Sequence, residues 1–474
     1  MKILVVNGSP KNKYSITLQT TNYLSLIHPE VDVEVLHVAQ KLASLKKDFS
    51  KAKLALETAD LIVFSYPVYT FLAPSQLHYF VRLMKENAVN VSDKYCTQIT
   101  TSKHFYDMTA HKFIEENMSE LGMRCIKGLS ADMDDLLTEK GQKEARDFFD
   151  FVTYSMANDI YEKPLQAYPS IEPIPCVPPT EAETEKLGNV VIVTDCEEYD
   201  DSLKDMITYF QRVFPRKTRI INLHDVTIKG GCLGCMRCAV SGKCIYNDNF
   251  DTFLREEIQT ADALVYAFRI KDHSMGALFK TYDDRQFCNG HRTVTKGMPV
   301  GYIVSGDYRY EKNLATVIEG RANVGGNFLA GVATDEVNPE YELNNLAKNL
   351  DYALDNGYAP PSNFYGVGGA KIFRDLIWNM RGLMKADHAF YKSHGMYDDF
   401  PQKKKGRTML MYLVGAMFKN EKVMKMMGNR MNEGMLMPYT ALFKKLNKQI
   451  IENNNVSATL AQEVVADIDE NNEN

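Results

Sequence analysis

The chain has 474 residues, 45% hydrophobic and 24% charged, the proportions of globular domains rather than of a disordered or fibrous chain. With 55 Lys and Arg against 61 Asp and Glu the net charge is −6, which gives no electrostatic reason to expect a nucleic-acid partner. No apolar run reaches the about 18 residues of a transmembrane helix. Nine unevenly spread cysteines suit the reduced thiols of a cytoplasmic protein better than a disulfide framework.

The opening residues 2–6, Lys-Ile-Leu-Val-Val, are an apolar run that reads as a buried strand, not a leader. They lead into Asn7-Gly8-Ser9-Pro10. A helix is predicted over 15–26 and a strand over 31–38. A short buried strand over 61–64 ends in Ser65-Tyr66-Pro67-Val68-Tyr69. A fourth, over 94–100, ends in Thr101-Ser102-Lys103. Strands alternating with helices predict a parallel sheet covered on both faces, closing the first unit at residue 160. Residues 161–188 carry six prolines, which can propagate neither helix nor central strand, so they read as a linker. From 189 to 365 the rhythm repeats, with strands over 189–194, 218–223, 261–268, 298–305 and 331–334. Ala261–Phe268 echoes Ala59–Ser65, an ordered internal duplication.

Residues 366–450 read as a basic, methionine-rich helical extension, with helices over 371–383, 408–418 and 421–430. Between 371 and 449 there are sixteen Lys and Arg against six Asp and Glu. The patterned helix over 371–383 is expected to pack on its own protein, with a membrane-surface or partner-binding role as the alternative. Residues 451–474, with six acids and no bases, are expected to be a disordered tail with a short helix at 460–468.

Two stretches carry chemistry. A strand that turns through Gly8-Ser9-Pro10 into a helix points free backbone N–H groups and the positive helix end outward, where a phosphate is stabilised. Ser9, Ser15 and Thr17 add hydroxyl donors and Lys11 a cation. In a doubly wound sheet the ligand sits at the carboxyl ends of the strands. The third strand brings Pro67, Val68, Tyr69 and Thr70 there, and the fourth brings Thr101, Ser102 and Lys103. The second stretch holds Cys232, Cys235, Cys238 and Cys244 in the spacing C-x2-C-x2-C-x5-C. Thiolates so crowded can close on one metal centre, and three readings stay open: a [4Fe–4S] cluster, redox-active thiols, or zinc.

Asn7-Gly8-Ser9-Pro10-Lys11 with Tyr66-Pro67-Val68-Tyr69 resembles the flavodoxin-like NAD(P)H-dependent FMN reductases. The cysteine motif after the second strand of the second unit, followed by Ile245-Tyr246-Asn247-Asp248, resembles the iron–sulfur flavoproteins of the same superfamily. The resemblance covers about residues 1–160 and 189–335. It implies that Ser9, Pro10, Lys11, Ser15 and Thr17 hold an FMN phosphate and that Pro67, Val68, Tyr69 and Thr70 line the flavin ring. Tyr66 stands where the family has a small residue. His78 replaces the usual lysine after Gln76-Leu77 and reads as a packing residue. In the second unit Asp195, Glu197 and Glu198 replace the phosphate turn, so this half is expected to have lost that site.

The expected architecture is α/β: two tandem flavodoxin-like doubly wound parallel sheets with a helical C-terminal extension. The two units would form a pseudo-dimer within one chain, with further association left open. The expected function is an FMN-dependent NAD(P)H oxidoreductase. It would pass electrons from a nicotinamide through FMN, and through a cluster where one is present, to a quinone-like or protein acceptor. The cofactor carries the chemistry, so no catalytic side chain is named. The rivals are a non-enzymatic flavin and iron–sulfur electron carrier and a scaffold whose basic helices bind a partner.

Overall fold

In the computed structural model, residues 1–166, 168–180, 186–400, 404–417, 436, 439–446 and 448 are described. Five consecutive buried residues make Lys2–Asn7 the central strand β1, as a strand covered on both faces requires. The first sheet continues with β2 (Asp32–His37), β3 (Leu61–Pro67), β4 (Tyr95–Ser102), β5 (Arg124–Cys125) and β6 (Leu129–Asp132). Its order is β2-β1-β3-β4-β5, with β6 also paired to β4. All pairings are parallel. The pieces β5 and β6 are absent from the sequence reading, because two and four residues of mixed polarity leave no periodicity to detect.

The second sheet contains β7 (Lys186–Thr194), β8 (Arg216–Asn222), β9 (Ala263–Arg269), β10 (Val300–Ser305) and β11 (Leu329–Thr334), in the order β11-β10-β9-β7-β8. Taken from its other edge, this is the order of the first sheet, 2-1-3-4-5, the flavodoxin-like arrangement. The predicted duplication is therefore present in the topology. β7 begins at Lys186, inside the stretch read as linker.

In each half a helix follows the third strand, Ser75–Glu86 in the first and Gly276–Arg285 in the second. The two pack against each other. Leu77, Phe80 and Met84 of one helix and Phe279 and Tyr282 of the other belong to a single buried cluster. Residues 1–395 are accordingly one compact unit.

The helix expected over 371–383 is found in that unit as Phe364–Asn379, beginning and ending earlier than expected. Ile377 is fully buried, so this helix packs on its own protein. Residues 396–474 form a second unit. In it, the helix expected over 408–418 runs Lys405–Met417. The helices expected over 421–430 and 460–468 and the acidic tail 451–474 lie outside the described residues. Among the described residues no helix is long and apolar enough to cross a membrane.

Candidate functional site

Where β1 ends, the Gly8 N–H donates to the Ser65 carbonyl at 2.9 Å, holding the turn against β3. The Ser9 N–H donates to Asn7 Oδ1 at 3.1 Å, and the Ser9 hydroxyl accepts from the Lys11 N–H at 3.3 Å. Ser15 caps the helix Ile16–Ile27 by accepting from the Leu18 N–H at 3.3 Å. A 2.6 Å hydrogen bond between Thr17 Oγ1 and Thr101 Oγ1 ties that first turn to the end of β4. The turn thus aims the helix N-terminus, whose leading N–H groups have no partner within the helix, at the carboxyl edge of the sheet.

The loop after β3 is tight. The Tyr69 and Leu72 backbones exchange hydrogen bonds of 2.8 and 3.1 Å, and Thr70 and Phe71 take positive φ angles of 51° and 72°. Part of its conformation is set by the other half. Lys280 Nζ donates to the Tyr69 carbonyl at 2.9 Å, and Asp284 accepts from the Ser75 N–H at 2.7 Å. A carboxylate from the second half therefore sits at the N-terminus of the helix Ser75–Glu86, where the helix dipole favours it. Burial pushes Asp284 up to about 6, against the pull of Lys280.

The four cysteines sit on a loop after β8 that wraps through left-handed residues at Gly234, Met236 and Gly242. This loop crosses onto the first half. Gln76 Nε2 donates to the Cys232 carbonyl at 3.3 Å. A β-carbon at Gly231 would meet Ser75 Oγ at 2.2 Å. One at Gly234 would meet Lys11 Cε at 3.3 Å.

One cavity of ≈ 260 Å³ results. From the first half Ser9, Lys11, Ser15, Thr17, Pro67, Val68, Tyr69 and Thr101 face it. From the second, Cys232, Cys235, Cys238 and Cys244 do. The other four residues singled out from sequence do not line it. Lys103 is held by Asp132 at 2.6 and 2.9 Å. Ser102 donates to Asp107 at 3.3 Å. The Pro10 carbonyl accepts from Gln40. The Thr70 hydroxyl is buried without a partner among the described residues. Sequence reasoning missed Tyr246, Phe287, Cys288 and His291, and above all Leu376 and Met380, which bring the C-terminal extension to the cavity wall. Their spacing of four residues on one helix face was the available signal, but it is equally the signature of ordinary packing.

Burial pushes the Cys232 thiol up to about 12 and raises Cys238 as well. Cys288 is likewise pushed up to about 12 by burial. Tyr69 is held well above its ordinary range by burial and by the neighbouring Cys232. Bare thiolates are therefore disfavoured here, and a metal's positive charge would have to stabilise them. Among the described residues no three or more His, Cys, Asp or Glu side chains converge as a site for a single ion. All four cysteines nevertheless line the same cavity, and thiolates are donors suited to a metal or iron–sulfur centre. The capped helix N-terminus and Lys11, with the Ser9 and Thr17 hydroxyls beside them on the cavity wall, fit a phosphate-bearing flavin.

The second half is built differently. Lys271 pairs with Asp195 at 3.9 Å and Glu197 at 2.8 Å, and Arg269 with Asp200 at 3.4 Å. The cations at that strand end serve its own carboxylates. His78, fully buried, stacks on Phe113 at 3.8 Å between ring centroids and is a packing residue.

Residues 1–112 match the family described as Flavodoxin-like fold. An iron–sulfur flavoprotein of Archaeoglobus fulgidus is 30% identical over 173 residues, which is 35% of this chain and 78% of that protein. Solved structures with likeness to the chain include FerB, an NAD(P)H:(acceptor) oxidoreductase from Paracoccus denitrificans (15% identity, 33% of this chain and 95% of that one, TM-score 0.28). Another is general stress protein 14 of Treponema denticola in complex with FMN (12% identity, 32% and 98%, TM-score 0.27). The chain belongs to the family of the iron–sulfur flavoproteins, with a flavodoxin-like fold whose strand order occurs twice along the chain.

Proposed function

We propose that the protein is an FMN-dependent oxidoreductase in which a flavin held by the first half exchanges electrons with a [4Fe–4S] centre held by Cys232, Cys235, Cys238 and Cys244. The observation that carries this reading is the single cavity lined by both the phosphate turn and the four cysteines. The two halves act as an intramolecular pseudo-dimer, each supplying one wall. NAD(P)H is the proposed donor, and a quinone-like molecule or a protein is the acceptor.

The first turn of the helix Ile16–Ile27, with Ser9, Ser15 and Thr17, donates to the phosphate, and Lys11 balances its charge. Pro67, Val68 and Tyr69 supply an apolar wall for the ring, and Thr101 a hydroxyl. The glycine-rich loop brings four sulfurs together, and Leu376 and Met380 keep water from the apolar side. Bound FMN supplies both two-electron and one-electron redox chemistry. The raised thiols of Cys232 and Cys238 speak against free reactive cysteines.

A second reading, an electron carrier that turns over no nicotinamide, is favoured by the closeness of Gly234 to Tyr69, which covers that side of the ring loop. Anaerobic purification with FMN, iron and sulfide counted per chain tests the first reading. Roughly one FMN with about four irons is expected. FMN without iron removes the cluster. Both cofactors without NAD(P)H oxidation leave the carrier.

A further inference from the structure

Arg285 is among the largest fully buried side chains of the chain. It ends the helix Gly276–Arg285, whose Lys280 and Asp284 hold the flavin-side loop of the first half, and it turns the other way, into the cysteine loop. Its Nη1 donates to the Gly230 carbonyl at 3.1 Å. Its two terminal nitrogens grip Asp248 at 2.8 and 2.9 Å, the bidentate geometry that a guanidinium makes with a carboxylate. Its Nη2 reaches Cys244 Sγ at 3.9 Å. The guanidinium carbon lies 4.3 Å from the Tyr246 ring centroid and 4.8 Å from that of Phe250. Both ends of the loop, Gly230 and the segment Cys244–Asp248, are thus fastened to one side chain.

We infer that Arg285 is a positioning residue that sets the reduction potential of the centre on the cysteine loop, with Asp248 as the counter-charge that limits its effect. The inference rests on the cluster reading above. One-electron reduction makes an iron–sulfur centre one unit more negative, with no bond made or broken. A buried positive charge beside a ligand sulfur favours that state, because little water screens it. The side chain of Asp248 is also fully buried, and its negative charge opposes the same state. Arg255 reaches the loop at the Gly242 carbonyl and Arg292 bonds the Cys288 carbonyl beside it, but of these three arginines only Arg285 bonds to one of the four cysteine sulfurs. The Gly234 N–H, which carries no charge, donates to Cys232 Sγ at 3.4 Å.

The test is the midpoint potential of the centre in the holoprotein, followed by EPR during titration with dithionite and mediators. Removing Arg285 alone would strand the buried Asp248, so the informative variants are D248N, R285K and the double variant R285M/D248N. D248N is expected to shift the potential upward. The double variant, which differs from D248N only in losing the cation, is expected to fall below D248N. R285K, which keeps the charge but not the fork, is expected to stay near the wild-type potential with less iron retained. Equal potentials in D248N and the double variant, at wild-type iron content, would overturn the inference, since a merely structural Arg285 changes iron retention and not the sign of a shift.

Wild-type protein without iron would instead defeat the cluster reading. The inference, which rests on that reading, falls with it.

Discussion

Gly234 lies against the phenol of Tyr69, so closely that a β-carbon at Gly234 would stand 2.0 Å from Tyr69 Oη and 3.2 Å from Cζ. The two residues belong to different halves of the chain and meet at a cavity that both halves line. Gly234 also has a φ of +59°, which a side chain resists by about 1 kcal/mol. Gly234→Ala is therefore expected to destabilise the protein by more than about 1 kcal/mol. Adding Tyr69→Phe removes the hydroxyl and is expected to recover the steric part while the backbone part persists. Urea unfolding of the two single variants and the double variant measures both. Additive losses would mean that the two residues do not touch.

Lys11 and Lys103 both follow strand ends of the first sheet, but only Lys11 faces the cavity, while Lys103 is tied to Asp132. Lys11→Ala is expected to weaken FMN binding by about tenfold or more, the worth of one charge-assisted contact. Lys103→Ala is expected to change it by less than about twofold, as for other partly exposed ion pairs. Quenching of flavin fluorescence on titration reads both affinities, and a larger effect at Lys103 would place the phosphate elsewhere.

Serine at any one of Cys232, Cys235, Cys238 or Cys244 is expected to lower the iron retained per chain, since each supplies one sulfur to the same wall. Cys96→Ser is the control. Cys96 is buried in the first sheet beside Cys125, with 3.3 Å between sulfurs, and does not line the cavity. Iron analysis after anaerobic reconstitution separates the two groups. Iron lost from the Cys96 variant alone would reassign the ligands.

His273 of the second half bridges Glu311 of its own half at 2.8 Å and Glu120 of the first at 3.4 Å. Burial opposes its charge, but the two carboxylates outweigh burial and raise it to about 9. The unfolded value is about 6.5. A raised histidine stabilises the fold fully below its unfolded value and loses that contribution as pH climbs through its folded value. Stability is thus expected to decline between about pH 6.5 and 9, by at most about 3 kcal/mol. His273→Gln should flatten this part of the profile of Tm against pH, and an unchanged slope would show that another group causes it.

The halves differ in how much of them the sequence discloses. β1, β3, β7 and β9 are legible because strands buried on both faces must be apolar throughout, and the echo between Ala59–Ser65 and Ala261–Phe268 discloses the duplication. The turn at Gly8-Ser9 and the cysteine spacing are equally legible, since each is local chemistry written in consecutive residues. Ser102 and Lys103 stood out for the same local reason, yet Asp107 and Asp132 take them. Those partners lie 5 and 29 residues away, and no local pattern announces them.

Periodicity and motif spacing act within a few residues of chain, so the fold of each half, the phosphate-type turn of the first and the thiol loop of the second can be read from the amino acids alone. Only the tertiary structure decided that the turn and the loop share a cavity, that Asp284 and Arg285 on one helix serve opposite sides of it, and that Leu376 and Met380 line its wall. The physical reason is that these relations follow from the packing of Ser75–Glu86 against Gly276–Arg285. That packing is a matter of shape and buried charge between segments some two hundred residues apart, and strand or helix periodicity carries no record of it.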